Sequence, residues 1–225
     1  MTGTVEATRR SLRVMTYNIR GLHDDAAAVT EVLDESRPDV VAIQEPPRGP
    51  FGRRRLRRVA GAAGLEVAVQ GGGARTTALL VRPDIPWVGG RAVRLPWRPG
   101  RTRRGMAIMD AAGLRLVSVH LGLSAEERAR HLARVLAVVA SAPAECVVAG
   151  DLNEGPGGPG RRRLALHLRD LTADEGPTYP AERPRQRIDA VLGSSGLRPT
   201  AARVVDGESV LRASDHRPVV VDLHW

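Results

Sequence analysis

The sequence has 225 residues, which is enough for one large domain with a sizeable hydrophobic core. Hydrophobic residues make up 42% and charged residues 26%, an ordinary globular composition that excludes disordered, collagen-like and coiled-coil chains. The formal net charge is +9, and all 34 basic residues are arginine. A positive field attracts polyanions, so this charge favours phosphate-bearing partners, although an arginine-biased genome would produce the same composition.

No linker divides the chain, so we expect a flexible N-terminal segment over residues 1–11 and a single domain over residues 12–225. The N-terminal arginines are not followed by the apolar stretch of a signal peptide, and no run approaches the roughly 18 apolar residues of a membrane span. Cys146 has no partner for an internal disulfide and lies in an apolar run, which indicates a buried, inert thiol. These features predict a cytoplasmic protein.

Short apolar segments, most of them separated by Gly, Pro or Arg-rich turns, predict ten β-strands. The predicted strands are residues 12–18, 40–45, 65–70, 77–82, 106–110, 114–120, 146–151, 188–192, 201–205 and 218–223. Residues 82–105 are rich in Pro, Gly and Arg, and we expect a long exposed connection there that contains a short strand.

Helical periodicity predicts four helices, over residues 25–36, 53–63, 124–140 and 161–168. The third begins with an S-x-x-E capping box formed by Ser124 and Glu127. Many strands, few helices and no regular βαβ alternation in the second half favour two stacked sheets with helices outside them.

Polar side chains stand at the C-terminal ends of several predicted strands. Asn18, Glu45 and His120 end three of them, and Asp151 ends a fourth just before Asn153. Strand ends converge at an edge of a sheet, so these side chains could surround one pocket. Each also has an ordinary explanation taken alone: Glu45 could reach solvent, and Asp-Leu-Asn before a Gly/Pro stretch could be an Asx turn.

The polar positions considered together supply what metal-assisted phosphoester hydrolysis needs. Mg²⁺ prefers oxygen ligands and takes only one or two carboxylates from a protein, which fits Glu45, Asp215 and the side-chain carbonyl of Asn18. Neutral donors such as Asn153 and His120 can hold phosphate oxygens. A histidine with a carboxylate partner can stabilise charge or move protons, and Asp189 with His216 is the candidate pair.

With these residues in hand, the sequence resembles the endonuclease/exonuclease/phosphatase superfamily, which has the DNase I-like fold. The resemblance extends from about residue 12 to residue 223, and the GDxN and SDHxP motifs in this order are its most specific part. The matching segments are MTYNIRG, VVAIQE, VSVHLGLS, VVAGDLNEGP, RQRIDAVL and ASDHRPVVVDL. The resemblance implies an α+β fold, a four-layered αββα sandwich of two stacked mixed sheets with the active site at one edge.

The resemblance also implies a role for each matching residue. Glu45 would be the main ligand of Mg²⁺, with Mn²⁺ as a substitute, and Asn18 and Asp215 would lie beside it. Asp151 would orient or deprotonate the attacking water. The remaining roles are placement of the water and phosphate by Asn153, orientation of His216 by Asp189, contact of His216 with the scissile phosphate, and phosphate contact by His120.

The first functional hypothesis is therefore a metal-dependent phosphodiesterase or endonuclease that acts on nucleic acid. Arginine runs at residues 53–58, 101–104 and 161–163 support it, and Arg104 is the candidate substrate contact, because Arg pairs bidentately with phosphate. The same runs could equally be solvated helix and loop faces. With one Phe, three Trp and two Tyr, base stacking has few candidates: Tyr179, Trp87 and Trp97.

Two alternatives remain at this point. The substrate could be a phospholipid, an inositol phosphate or another small phosphoester, because VSVHLGLS resembles a segment of sphingomyelinase-like members, and peripheral contact with anionic lipid stays open. The protein could also keep the fold as an inactive binding protein. No protein partner can be inferred from the sequence.

Overall fold

The computed structural model describes residues 11–143 and 145–225. The expected flexible segment over residues 1–11 lies outside the described residues except for Ser11, which begins the first strand. The strands are β1 (Ser11–Asn18), β2 (Val40–Gln44), β3 (Glu66–Gln70), β4 (Thr77–Val81), β5 (Trp87–Arg94), β6 (Gly105–Ala111), β7 (Leu114–His120), β8 (Cys146–Asp151), β9 (Arg169–Asp170), β10 (Asp189–Gly193), β11 (Arg198–Val204) and β12 (Val219–His224). The helices are α1 (Ala26–Ser36), α2 (Gly52–Ala62), α3 (Ala125–Ala140), α4 (Pro159–Leu164) and α5 (Glu208–Ala213).

The strands form two six-stranded mixed sheets that stack face to face. The first sheet has the order β11-β12-β1-β2-β4-β3, and the second has the order β5-β6-β7-β8-β10-β9. In each sheet one central pair is parallel, β1 with β2 and β7 with β8, while the other pairs are antiparallel. The predicted fold of two stacked mixed sheets with flanking helices is thereby confirmed.

Alternating side chains of the central strands face two different cores. On β1, Leu12 and Val14 belong to the cluster between the sheets, whereas Met15 and Tyr17 belong to a second cluster with α1, α2 and α5. A third cluster lies between the second sheet and α3 with α4. Because these strands are buried on both faces, they read as nearly continuous apolar runs. The molecule therefore has four stacked layers: helices, the first sheet, the second sheet and helices.

Side-chain caps explain where the two long predicted helices begin. Asp25 accepts hydrogen bonds from the backbone N–H groups of Ala27 and Ala28 at the start of α1. Ser124 accepts one from the backbone N–H of Glu127 at the start of α3. Each cap satisfies donors that have no intrahelical partner. Both starts agree with the sequence prediction.

The fourth predicted helix, over residues 161–168, has the wrong bounds. Helix α4 begins earlier, with Pro159 in its first turn, where the missing N–H of proline costs nothing. It ends at Leu164, whose carbonyl accepts from both His167 and Leu168 in the turn that follows. Neither α5 nor the short β9 was predicted from the sequence.

The predicted long connection over residues 82–105 contains a longer strand than expected. Strand β5 has eight residues and forms the edge of the second sheet, with a register shift between Val88 and Arg91. Its residues are mostly exposed, which is why its sequence lacks a strong apolar pattern. Within the described residues, no helix is long and apolar enough to cross a membrane.

Candidate active site

The register of the strands brings the predicted catalytic residues to one edge of the molecule. The parallel pairs β1 with β2 and β7 with β8 place Asn18 opposite Gln44 and His120 opposite Asp151. Strand β10 runs antiparallel to β8 and starts at this edge, so Asp189 also lies opposite Asp151. The chain enters β12 at the same edge, which brings in the segment before Val219.

Asp189 and His216 form a buried pair. Oδ2 of Asp189 lies 2.9 Å from Nδ1 of His216 and accepts a second hydrogen bond from the hydroxyl of Thr178 at 2.6 Å. The ring of Tyr179 covers the imidazole, with the ring centroids 4.7 Å apart. Ser214 donates to the carbonyl of Asn18 at 2.6 Å and so ties the loop before β12 to the end of β1. These contacts fix the orientation of the His216 ring.

Asp151 lies at the centre of the cluster. Its Oδ2 is 3.3 Å from Nε2 of His120 and 3.4 Å from Nδ2 of Asn18, and its Oδ1 accepts from the backbone N–H of Asn153 at 2.8 Å. The Asn18 amide nitrogen is also 3.5 Å from Nε2 of His216. One carboxylate is thus connected to both sheets and lies near both histidines.

The surroundings move the pKa values of these groups in different directions. Burial and the neighbouring Asp189 raise the pKa of Asp151 to about 7. Burial alone would lower the pKa of His216, but the charge and hydrogen bond of Asp189 outweigh it and raise this pKa to about 9. Burial and then the charge of Arg104 lower the pKa of His120 well below its usual value. At neutral pH, His216 is therefore protonated and His120 is neutral.

Glu45 differs from this cluster because it is open to solvent. It follows β2 in a left-handed conformation with φ of 50°, and it is held by backbone hydrogen bonds from its N–H to Thr76 and to its carbonyl from Gly21. Its side chain is 43% exposed, and its Oε1 lies 4.0 Å from Nε2 of His120. The carboxylate therefore stands next to the buried cluster at its water-accessible side.

A cleft of about 340 Å³ opens beside Glu45, and Arg48, Arg104 and His120 line it. Arg104 is only 6% exposed, and its Nε and Nη1 atoms have no hydrogen-bond partner among the described residues. Burial lowers its pKa, while the carboxylates of Asp151, Glu127 and Glu45 oppose that shift. The structure thus brings Arg104, which was the one predicted substrate contact, to the same cleft as Glu45 and His120.

Asn153 and Asp215 complete the predicted set. Asn153 has a left-handed backbone with φ of 50° and donates from its side chain to the carbonyl of Leu121 at 2.8 Å, which fixes the loop after β8. Asp215 is 36% exposed and lies 3.7 Å from Arg20, in a second and larger cleft of about 860 Å³. Two separate clefts therefore adjoin the cluster, one at Glu45 and one at Asp215.

The close-packed group of potential metal ligands among the described residues is Asp151, Asp189 and His216, which lie within 4.8 Å of one another. None of the three was predicted as a ligand. Two of them already bond to each other, and Asp189 also bonds to Thr178. Hard cations prefer oxygen ligands and retain waters, so the open carboxylate of Glu45 suits Mg²⁺ better than this closed group.

Several residues have contacts that differ from those predicted from the sequence. Arg161 belongs to a predicted nucleic-acid-binding run, yet it is 5% exposed and pairs with Asp170 at 2.8 Å. Trp87 was a stacking candidate, but it packs against the inter-sheet core and donates to Glu66. Tyr179, also a stacking candidate, packs its ring against His216. No motif marks such contacts, since they depend on partners distant in sequence.

Comparisons with known proteins identify the family and the fold. The family model of the Endonuclease/Exonuclease/phosphatase family matches residues 15–216. The chain is similar to a solved endonuclease/exonuclease/phosphatase from Beutenbergia cavernae DSM 12333, with 26% identity and a TM-score of 0.75, covering 96% of this chain and 72% of that one. A comparison with curated protein sequences finds no relative.

Two further solved structures share the fold at lower identity. One is truncated TDP2 from Caenorhabditis elegans, with 18% identity, a TM-score of 0.72, and coverage of 96% of this chain and 98% of that one. The other is the mannosyl-6-phosphatase Bt3783 from Bacteroides thetaiotaomicron VPI-5482, with 15% identity, a TM-score of 0.75, and coverage of 95% and 100%. The chain belongs to the endonuclease/exonuclease/phosphatase family, whose members are generally hydrolases that act on phosphoesters.

Proposed function

We propose that this protein is a divalent-metal-dependent phosphodiesterase that cleaves nucleic-acid backbones, most simply as an endonuclease. The observation that carries the proposal is the arrangement of Asp151 between a neutral His120 and a protonated His216, beside the open carboxylate of Glu45. This arrangement offers a base, an acid and an oxygen ligand within one strand-end cluster.

The residues present fit a hard divalent cation. Glu45 provides a carboxylate that is 43% exposed, so an ion held there keeps room for water and for substrate oxygen. Asn18 and Asp215 are the proposed further ligands, through the side-chain carbonyl and the carboxylate. Mg²⁺, or Mn²⁺ in its place, would polarise the phosphoryl oxygen and neutralise developing charge.

Asp151 is the proposed base that orients and deprotonates the attacking water. Its raised pKa, about 7, makes it basic enough to accept a proton near neutral pH while it stays ionised above that pH. The bond from the Asn153 backbone holds its Oδ1, and His120 and Asn18 lie at its Oδ2. Asn153 and His120 are the proposed contacts to the water and the phosphate oxygens.

His216 is the proposed acid opposite the attacking water. It carries a proton at neutral pH because Asp189 raises its pKa to about 9. A protonated imidazole can stabilise negative charge on the phosphoryl group and donate to the leaving alkoxide as the bond to phosphorus breaks. Asp189 does not need to move a proton in this scheme; it holds the ring through Nδ1.

The clefts around the centre support a diester on nucleic acid over a small monoester. An internal phosphodiester has a substituent on each side of phosphorus, and separate clefts adjoin Glu45 and Asp215. Arginine lines both clefts, whereas a phospholipid would need apolar surface for its chains. A hydrolase of phospholipids, inositol phosphates or other small phosphoesters remains the second candidate, because it would use the same reaction centre. Cytoplasmic location stays a prediction from the sequence.

The test is hydrolysis of a substrate panel by the purified protein with Mg²⁺, Mn²⁺ or EDTA. The panel contains supercoiled plasmid, abasic duplex, bis-p-nitrophenyl phosphate, sphingomyelin, inositol phosphates and mannose 6-phosphate. We expect metal-dependent cleavage of the nucleic acids that Glu45→Ala and His216→Ala abolish and that the exposed control Asp174→Asn retains. Turnover of lipid or monoester alone would replace the proposal with the second candidate, and silence on every substrate would favour an inactive binding protein.

A further inference from the structure

A second basic pocket adjoins the cleft at Glu45. It has a volume of about 450 Å³, and its lining consists of Arg48, Gly71, Gly72, Arg75, Thr102 and Arg103. Arg48 and Thr102 also line the cleft at Glu45, so the two spaces are neighbours that share a wall. We call this second space the distal basic pocket.

The lining of the distal basic pocket is suited to an anion. It contains three arginines and no carboxylate. None of these arginines forms an ion pair within 4.0 Å with a described residue, in contrast to Arg13, which pairs with Asp222 at 2.6 Å. Guanidinium groups without a carboxylate partner keep their donors available for phosphate oxygens.

The pocket is also held in shape before any ligand arrives. The guanidinium of Arg103 lies 4.3 Å above the ring of Trp97, and the Trp97 indole donates to the carbonyl of Arg101 at 2.6 Å. On the facing loop, Gly71 and Gly72 have φ values of 71° and 51°, a conformation that glycine adopts without strain. A Cβ on Gly71 would stand 2.5 Å from an Arg53 guanidinium nitrogen. Because glycine has no Cβ, the positively charged Arg53 side chain can lie against this loop.

The buried guanidinium of Arg104 places positive charge in the cleft at Glu45, next to the distal basic pocket. It lies in the cleft at Glu45, one residue from Arg103, with Nε and Nη1 unpartnered among the described residues. Buried guanidinium nitrogens without a hydrogen-bond acceptor are costly, and an anion beside them would accept those hydrogen bonds. Positive charge thus continues from the reaction centre into the distal basic pocket.

We propose that the distal basic pocket binds a phosphate that does not react, namely a phosphate of the same nucleic-acid strand that flanks the scissile one. This inference rests on the proposed function and adds a substrate requirement to it: the enzyme favours diesters that carry a neighbouring phosphate. A strand of nucleic acid fits better than a lipid surface, because the pocket lining contains only Arg, Gly and Thr and offers no apolar side chain for insertion.

The experiment compares two variants that each remove two positive charges. Arg75→Gln/Arg103→Gln alters the distal basic pocket, and Arg134→Gln/Arg198→Gln removes exposed arginines that line none of the described pockets. Binding of a fluorescein-labelled short DNA duplex is measured by anisotropy in EDTA over a salt series. Hydrolysis of the same duplex and of bis-p-nitrophenyl phosphate, which has no second phosphate, is measured with Mg²⁺.

We expect the pocket variant to weaken duplex binding about tenfold at low salt, while the control changes the affinity by less than about twofold. The slope of the logarithm of the binding constant against the logarithm of the salt concentration should decrease in magnitude by roughly two in the pocket variant. Cleavage of the duplex should fall in parallel, and turnover of bis-p-nitrophenyl phosphate should stay within about twofold of the wild type. Equal effects of the two variants on binding, or equal losses on both substrates, would overturn the proposal.

The same data separate this inference from the proposed function. If the wild type hydrolyses no diester but the pocket variant alone loses duplex binding, the phosphate pocket stands and the proposed reaction fails. If the wild type cleaves DNA and both variants bind it equally, the reaction stands and the pocket proposal fails. Loss of sedimentation with phosphatidylglycerol vesicles, with unchanged duplex binding, would assign the pocket to anionic lipid and overturn the proposal.

Discussion

The Nδ1 atom of His216 lies 2.9 Å from Oδ2 of Asp189, and Asp189 itself stands opposite Asp151 across the β8–β10 pair. One cluster therefore holds a carboxylate whose pKa is raised to about 7 and an imidazole whose pKa is raised to about 9. When the pH lies between these two pKa values, Asp151 is ionised and His216 is protonated. The cluster then contains both a base and an acid.

This relationship predicts a bell-shaped dependence of kcat/KM on pH. Activity should rise as Asp151 loses its proton near pH 7 and fall as His216 loses its proton near pH 9. The measurement is kcat/KM against pH with saturating metal and a substrate that does not titrate in this range. A rate that stays level from about pH 6 to about pH 10 would contradict the assigned roles.

Replacement of Asp189 by asparagine tests the origin of the His216 pKa. The amide would keep a hydrogen-bonding side chain but remove the largest charge that opposes the burial of His216, so the pKa should fall from about 9, while the charges of Asp151 and Asp215 still raise it. Titration of the imidazole by NMR in EDTA measures this directly. We also expect activity at neutral pH to fall by about 10²–10⁴-fold. An unchanged pKa of His216 in this variant would show that Asp189 does not raise it.

Replacement of Asp151 by asparagine should separate activity from stability. The folded-state pKa of Asp151, about 7, lies above the unfolded value near 3.9, so its contribution to stability is complete below the unfolded value and is lost as pH rises through about 7. Asparagine does not ionise and avoids that loss. The variant should therefore gain stability relative to the wild type as pH rises from about 4 to about 8, while activity disappears.

Urea unfolding of both proteins in EDTA at these two pH values checks the prediction. The difference between the midpoints should move in favour of Asp151→Asn at the higher pH. A difference that is the same at both pH values would mean that burial does not penalise the ionised carboxylate.

The arginines of the run at residues 161–163 should differ in their contribution to stability, because they differ in burial. The Arg161 side chain is 4% exposed, pairs with Asp170 and donates to the carbonyls of Glu154 and Arg187. Arg161→Met should lower the free energy of unfolding by about 1–3 kcal/mol, because the carbonyls of Glu154 and Arg187 lose their donor, while Asp170 keeps its ion pair with Arg187. The exposed neighbour supplies a matched control: Arg162→Met should change it by less than about 0.5 kcal/mol. Similar losses in the two variants would contradict a structural role for Arg161.

Glu45 should matter for metal binding and little for folding. Its side chain is 43% exposed, and Glu45→Gln retains its size and its backbone contacts. We expect calorimetric titration with Mn²⁺ to show affinity reduced roughly 100-fold or more, with the midpoint of apo unfolding shifted by no more than about 2 °C. Normal Mn²⁺ affinity in the variant would exclude Glu45 as the main ligand.

The positions of the candidate site residues follow from the sequence most directly at the ends of strands. Asn18, His120 and Asp151 end buried strands, and parallel pairing brings such ends together without any knowledge of loops. Asp189 and His216 were predicted as a pair from their chemistry, and the resemblance implied the same pair. The strand-end argument does not apply to them, because they lie at or before the starts of their strands and the turn that carries His216 gives no periodic signal.

The remaining features depend on contacts between distant segments. Arg161 and Arg162 are adjacent residues of the same type, yet Arg161 is buried against Asp170 and Arg162 is exposed. Thr178 bonds to Asp189 from a loop that carries no recognisable motif. Helix α5 has only six residues, too few for a period to be read. Burial and long-range pairing decide such features, and a local pattern does not encode either.

Plasmid nicking measures metal-dependent hydrolysis of a nucleic-acid diester by this cluster. Supercoiled plasmid is incubated with the wild type, Glu45→Gln and His216→Gln, alongside the exposed controls Glu35→Gln and His224→Gln, with Mg²⁺ or EDTA. We expect the wild type and both controls to nick the plasmid only with Mg²⁺, and the two site variants not to nick it. Nicking that persists in EDTA, or in both site variants, would contradict it.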